Sequence, residues 1–347
     1  DIGFRELGSI DWERSGLSQD EMNSVLYDIA EVFEERNLEK ESIFFYRIIF
    51  GKDVNFRDVR EKIEKLDTKI LMSRTIDETT GLSLDIRRRY DDIEELGKGG
   101  MGVVYKATDR KLGRKVALKV MLSEFVNNRE AVSRFLKEAR AIAALNHPGI
   151  VSIFDVNSDK NVYIAMEYVE GVTLKRRLQE SGKINIDDMS RYGREVCLAL
   201  DYAHQNGVVH RDIKPENIMI DKEGKIKIMD FGLATVKNEK GEKEDIVGTP
   251  FFMSPEQITG EELDYRTDIY SFGVSIYQLL TGKLPFEDGD IRKRHLEEKP
   301  IPPSAINPDL NYKIDQIILR CLEKDPDKRY SSMKDIEKEL SKVKYVG

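Results

Sequence analysis

Residues 210–217 read His-Arg-Asp-Ile-Lys-Pro-Glu-Asn. One short loop thus offers a carboxylate at Asp212, an ammonium at Lys214 and a carboxamide at Asn217. Together these can orient a hydroxyl proton, hold a phosphoryl oxygen and ligate a divalent cation, which is what phosphoryl transfer asks of a site. A second acid, Asp230, follows in Asp-Phe-Gly, and far upstream stands Gly97-Lys98-Gly99-Gly100-Met101-Gly102. Glycines at 97, 99 and 102 let a backbone approach phosphate closely and present its N–H groups. That spacing alone is weak, because dinucleotide-binding turns share it.

The elements around these residues decide between the two. Apolar alternation about Ile93 and Leu96, then Val103-Val104-Tyr105, predicts two strands joined by the glycine turn, and a strand rather than a helix follows the glycines. Val116-Ala117-Leu118-Lys119 predicts another strand. A lone lysine at such an end is usually a solvated one. Here residues 130–145 follow as a helix with Val132, Phe135, Leu136, Ala139 and Ile142 on its apolar side. Glu138 shares that side and needs a cation, for which Lys119 is the expected partner. Residues 186–205 predict a long helix leading into the 210–217 loop, and 269–280 a strongly apolar one opened by Asp268, where a carboxylate serves as a cap.

Taken together these motifs resemble the eukaryote-like protein kinases, Ser/Thr branch, in their bacterial form; the likeness covers residues 90–340, about three-quarters of the chain. It implies an α+β, bilobal protein kinase fold, with a small β-rich N-lobe carrying one key helix and a large, mostly helical C-lobe. It implies ATP and Mg²⁺ as cofactors and a protein substrate with a Ser or Thr acceptor. Asp212 would accept or orient the acceptor proton, Lys214 would steady the γ-phosphate, and Asn217 and Asp230 would hold Mg²⁺. Lys119, paired with Glu138, would meet the α- and β-phosphates. The nucleotide would lie against Leu96, Gly97, Lys98, Gly99, Gly100, Gly102, Val104, Ala117 and Met219. Met166 would be the gatekeeper, with backbone groups of Glu167 and Tyr168 on the adenine edge. An ordinary strand end explains residues 162–169 nearly as well.

The resemblance also places Thr249 on Asp212 and Lys214, pairs Glu256 of Ser-Pro-Glu with Arg329, and has Asp268 hold the catalytic-loop backbone. His210 and Phe231 read as packing residues and His147, in Asn-His-Pro, as a structural helix-end cap. Glu216 hints at basic residues near the acceptor. Between Gly232 and Pro250 the only hydroxyl side chains are Thr235 and Thr249, so the usual phosphorylated threonines are missing. Glu242, Glu244 or Asp245 would then offer Arg211 a permanent negative charge; a solvated mixed-charge loop explains the stretch equally.

The first 72 residues are read separately. Met22, Val25, Leu26, Ile29, Ala30, Val32 and Phe33 recur at three and four, giving a helix over 19–36 that Asn37 would end. Ile43, Phe44, Tyr46, Ile48 and Ile49 give a second over 39–50, and Phe56, Val59, Ile63, Leu66 and Ile70 a third over 55–71. The expected all-α helical hairpin resembles a tetratricopeptide unit with its capping helix, although Ser42, Ile49 and Val54 depart from that pattern. A plain three-helix extension is the alternative. The expected division is a helical module at 1–72, a linker at 73–88, an N-lobe with hinge at 89–169 and a C-lobe at 170–345.

The net charge of −8 and a pI near 5.4 argue against nucleic acid as main partner. The Arg87-Arg88-Arg89 cluster reads as solvated linker. No apolar run approaches the roughly 20 residues of a membrane span. Cys197 and Cys321, far apart in apolar helical contexts, read as reduced core residues of a cytoplasmic protein. The chain opens on Asp1 rather than Met, as an excised piece would. The competing functions are a nucleotide-binding pseudokinase scaffold and a protein whose distinctive role is a docking or autoinhibitory first module with its own partner. Oligomeric state is not readable.

Overall fold

The computed structural model describes residues 16–36, 38–73, 82, 84–158, 162–231 and 250–343. The chain divides into two compact units, Asp1–Arg89 and Tyr90–Gly347.

In the first unit, α1 (Gln19–Glu35) starts on a capping box. The Ser18 hydroxyl accepts from the Glu21 amide, and the Glu21 carboxylate accepts from the Ser18 amide at 2.9 Å. It packs on α2 (Glu39–Lys52), and α2 on α3 (Val59–Ser73). Met22, Leu26, Ala30, Tyr46, Ile49 and Leu66 form their common core. Ser42 is buried where α2 meets α1, its hydroxyl donating to the Ala30 carbonyl at 2.8 Å. A small side chain is needed there for the backbones to approach. The apolar stripe is narrower than its periodicity predicts, since Val25, Val32 and Phe44 are 38%, 47% and 40% exposed. Asn37 and the side chain of Ile70 lie outside the described residues. Within the expected linker, α4 (Leu84–Arg89) is helical, with Ile86 buried. Leu82 is buried as well, but two anchoring apolar side chains in a polar stretch are too few to set a period, so the helix is not legible in the sequence.

The second unit opens with β1 (Tyr90–Lys98), β2 (Gly102–Asp109) and β3 (Arg114–Met121), followed by α5 (Ser123–Val126) and α6 (Arg129–Ala143). With β4 (Ile153–Asn157) and β5 (Tyr163–Glu167) the strands form an antiparallel sheet in the order β1-β2-β3-β5-β4. Phe135, Leu136 and Ala139 of α6 pack on Met121 and Ile164 of that sheet. The Asn128 side chain accepts from the Glu130 and Ala131 amides and so starts α6 where its apolar periodicity begins.

Beyond β5 come β6 (Gly171–Thr173), α7 (Leu174–Ser181), α8 (Ile186–Gln205), β7 (Ile218–Asp221) and β8 (Ile226–Ile228), the short strands pairing in the order β6-β7-β8. The α-helices described beyond β8 are α9 (Pro255–Thr259), α10 (Arg266–Thr281), α11 (Ile291–Glu297), α12 (Pro303–Ile306), α13 (Tyr312–Cys321) and α14 (Met333–Leu340). Every residue of α10 from Thr267 to Leu280 is buried, so this helix is the axis of the lobe. At Gly273 an added Cβ would stand 2.6 Å from the Cys321 Cβ, so α10 and α13 pack this closely only over glycine. Cys197 and Cys321 are free and buried, and burial pushes the Cys321 thiol up to about 12.

Candidate active site

The 210–217 loop runs between α8 and β7 and is held from below by α10. Asp268, wholly buried, accepts from the His210 amide at 2.8 Å, the Arg211 amide at 2.7 Å and the His204 imidazole at 2.7 Å. The α10 N-cap, Tyr265, makes no side-chain cap bond, so Asp268 is spent on the loop and the cap expectation fails. Arg211 has φ +68°, a left-handed backbone uncommon for a residue with a Cβ. It is fixed on both sides, because Gln257 Nε2 donates to the Arg211 carbonyl at 2.8 Å.

His210 is buried against Phe231, ring centroids 4.4 Å apart. Its Nδ1 accepts from the Asp212 amide at 3.2 Å, so its Nε2–H donates to the Met229 carbonyl at 3.0 Å. Burial pushes the imidazole below its ordinary pKa despite nearby Asp268, which keeps it neutral. His210 is therefore a spacer between the loop and the segment carrying Asp230, as expected. Lys214 Nζ and Asn217 Nδ2 donate to Asp212 Oδ2 at 2.7 and 2.9 Å, and Asn217 Nδ2 also donates to the Asp212 carbonyl at 2.8 Å. Among the described residues Oδ1 has no hydrogen-bond partner. An acid whose one oxygen is oriented by an ammonium and an amide presents the other to an incoming hydroxyl.

Asp230, at φ +56°, reaches across to β3, where Lys119 Nζ donates to its Oδ1 at 2.6 Å. The expected partner of Lys119 was Glu138. The Glu138 side chain lies outside the described residues; its neighbours Phe135, Ala139 and Ile142 are buried, so the inward face of α6 is the one predicted. In the glycine turn the Gly99 amide donates to the Gly102 carbonyl at 2.8 Å. An added Cβ on Gly102 would meet the Val120 carbonyl at 2.6 Å, whereas at Gly97 and Gly100 nothing lies within 4 Å. Gly102 is demanded by β3; the other two meet no neighbour among the described residues.

Below the turn, Ala117, Val151, Met166 and Val169 form a buried cluster with Val104, Ile153, Tyr168, Met219 and Met229 against it. The structure therefore brings together five residues expected at the nucleotide, Val104, Ala117, Met166, Tyr168 and Met219. Leu96 stands apart, half exposed on β1. Sequence reasoning missed Val151, Val169 and Met229; the last directly precedes Asp230 and could have been found there. The Glu167 amide is spent on the Ser152 carbonyl at 2.8 Å, so only its carbonyl is left for a ligand. Its carboxylate pairs with Lys227 at 2.7 Å, fastening β5 to β8.

On the far side of the loop Glu256 and Arg329 form a buried bidentate pair at 2.7 and 2.8 Å, and Thr267 donates to the same carboxylate at 2.8 Å. Burial pushes the Glu256 carboxyl up, but Arg329 with Thr267 outweighs this and leaves it below the ordinary range. His147 proves structural, yet it is not the helix-end cap: Ala144 ends α6, and the His147 Nδ1 accepts from the Gly149 amide at 3.0 Å, holding the following turn. Thr235, Glu242, Glu244, Asp245 and Thr249 lie outside the described residues.

Residues 90–341 match the protein kinase domain family. Over 266 residues the chain is 45% identical to a probable serine/threonine-protein kinase of Clostridium acetobutylicum, covering 75% of this chain and 40% of that one. It is 39% identical to the serine/threonine-protein kinase PknB of Mycolicibacterium smegmatis, covering 74% and 43%. The chain thus spans about two-fifths of the length of these relatives. Among solved structures, the Mycobacterium tuberculosis PknI kinase domain matches with a TM-score of 0.60 at 27% identity, over 73% of this chain and 95% of that one. The described helices and strands, the loop gripped by Asp268 and the matched span agree: this chain belongs to the protein kinase family, in the company of bacterial Ser/Thr kinases.

Proposed function

We propose that the chain is an ATP- and Mg²⁺-dependent protein kinase that phosphorylates Ser or Thr hydroxyls. The observation that carries this reading is the shared carboxylate of Asp212, oriented by Lys214 and Asn217, on a loop that His210 ties to the segment carrying the Lys119–Asp230 pair. Asp212 Oδ1 takes or orients the acceptor proton. Lys214 holds the reacting phosphoryl oxygen, and Lys119 the oxygens nearer the nucleoside. The apolar cluster of Ala117, Met166 and Met219 receives the purine and excludes water.

The residues present fit a hard divalent cation. Because Asn217 Nδ2 is spent on Asp212, its Oδ1 is turned outward as an acceptor, and Asp230 adds carboxylate oxygen. Among the described residues no cluster of three acidic, His or Cys ligands exists, as suits an ion that takes most of its oxygens from phosphates and water. When bound, the cation neutralises charge on the phosphates. The test is transfer of labelled phosphate to a generic basic protein or to the chain itself, with Asp212→Asn as control. Transfer lost in that variant is expected; none from folded, ATP-binding protein would favour the pseudokinase scaffold.

The first unit, tetratricopeptide-like in sequence, is a docking or regulatory module, a reading supported by its separate core. Among the described residues no helix is long and apolar enough to cross a membrane, and we assign the chain to the cytoplasm. Arg211 has an exposed side chain without a partner among the described residues, which supports a role for the acidic stretch at 242–245 as its permanent counter-charge.

A further inference from the structure

Glu216 occupies the middle of the 3-10 turn Pro215–Asn217, one residue from the amide that orients Asp212. From its place in the loop it should attract a basic substrate residue. The structure gives it a cation of its own. Lys175 Nζ lies 3.5 Å from Glu216 Oε1, with the two side chains 33% and 39% exposed. Glu216 Oε2 is buried and has no hydrogen-bond partner among the described residues.

Lys175 is oddly placed for any other purpose. It stands in the first turn of α7, where the backbone N–H groups already carry positive charge and an acid is the stabilising residue. The turn holds no acid; Lys175, Arg176 and Arg177 follow one another there. Arg176 is turned back to Glu180 along its own helix, while Lys175 leaves its helix for the catalytic loop. The cation therefore tolerates an unfavourable helix end and answers a carboxylate beside the reacting groups.

We propose that Lys175 is a specificity-determining residue, an internal stand-in for a substrate cation that closes Glu216 to basic residues flanking the acceptor. This rests on the kinase reading above. A guanidinium arriving at Glu216 must displace Lys175 and meets its repulsion, whereas a neutral or acidic flank does not.

The test uses the full chain and peptides with one Ser acceptor and Arg, Gln or Glu at each flanking position in turn. The readout is the ratio of kcat/KM for Arg over Gln. In the wild type no position should favour Arg. In Lys175→Gln one position should rise by about tenfold, equivalent to ~1.4 kcal/mol, and in Lys175→Glu by more. The rise should vanish in Lys175→Gln/Glu216→Gln. Two results would overturn the inference while leaving the kinase reading intact: an Arg preference already present in the wild type, or transfer by both single variants with unchanged ratios. No transfer to any peptide or to the chain itself would overturn both.

Discussion

Asp268→Asn changes one atom and removes a buried charge beneath the catalytic loop. The carboxylate accepts three hydrogen bonds, His210 N and His204 Nε2 on Oδ2 and Arg211 N on Oδ1. An amide has a single acceptor oxygen, so its better orientation keeps the two Oδ2 bonds and turns NH₂ towards the Arg211 N–H. A buried donor left unpaired costs about 1–3 kcal/mol. The same bond helps hold Arg211 at φ +68°, but Gln257 still donates to the Arg211 carbonyl in the variant, so that strain is kept and offsets none of the loss. A net loss of about 2 kcal/mol follows, or about 4–8 °C in Tm at the 2–4 °C per kcal/mol of a domain this size. The released loop carries Asp212, so kcat should fall by at least about tenfold, with KM for ATP changing less, because the purine cluster does not include the loop. Differential scanning calorimetry with steady-state kinetics reads both. A variant with wild-type Tm and wild-type kcat would refute the reasoning that Asp268 sets the loop.

Arg329→Leu strands the Glu256 carboxylate in the interior and should cost about 3–5 kcal/mol, with Glu256→Leu/Arg329→Leu less destabilised than the single variant in urea melts. Glu256 titrates lower folded than unfolded, so the pair's contribution is complete above the ordinary carboxyl value of 4.5 and is lost as pH falls below it; the wild type should lose stability across that acid window more steeply than Glu256→Leu/Arg329→Leu. In the first unit, Ser42→Leu forces a large side chain between α1 and α2 and should cost about 1–3 kcal/mol. Ser42→Ala, which only loses one neutral hydrogen bond, should cost about 1 kcal/mol; hydrogen exchange of the α1 and α2 amides separates the two.

Much of the site is legible in the chain because its residues lie within a few positions of one another. Asp212, Lys214 and Asn217 share one loop, so their meeting on a single oxygen needs only a local turn. The helix over 186–205 and the buried helix around 269–280 are equally plain, because apolar periodicity records which face is covered. Periodicity overstates coverage at Val25, Val32 and Phe44, since it cannot say whether a neighbour arrives. It understates it at Leu82 and Ile86, two buried side chains in a polar stretch too short of apolar residues to show a period.

The sequence by itself determined the chemistry on offer and the order of the elements, since residue types and short spacings are local properties. Tertiary structure alone decided the pairings across long separations that no motif names: Lys119 on Asp230, Glu167 on Lys227 and Lys175 on Glu216. Charges offer many partners of equal merit along a chain, and only the packing of α7, α8 and α10 around the loop, fixed by apolar burial, brings one of them within 4 Å.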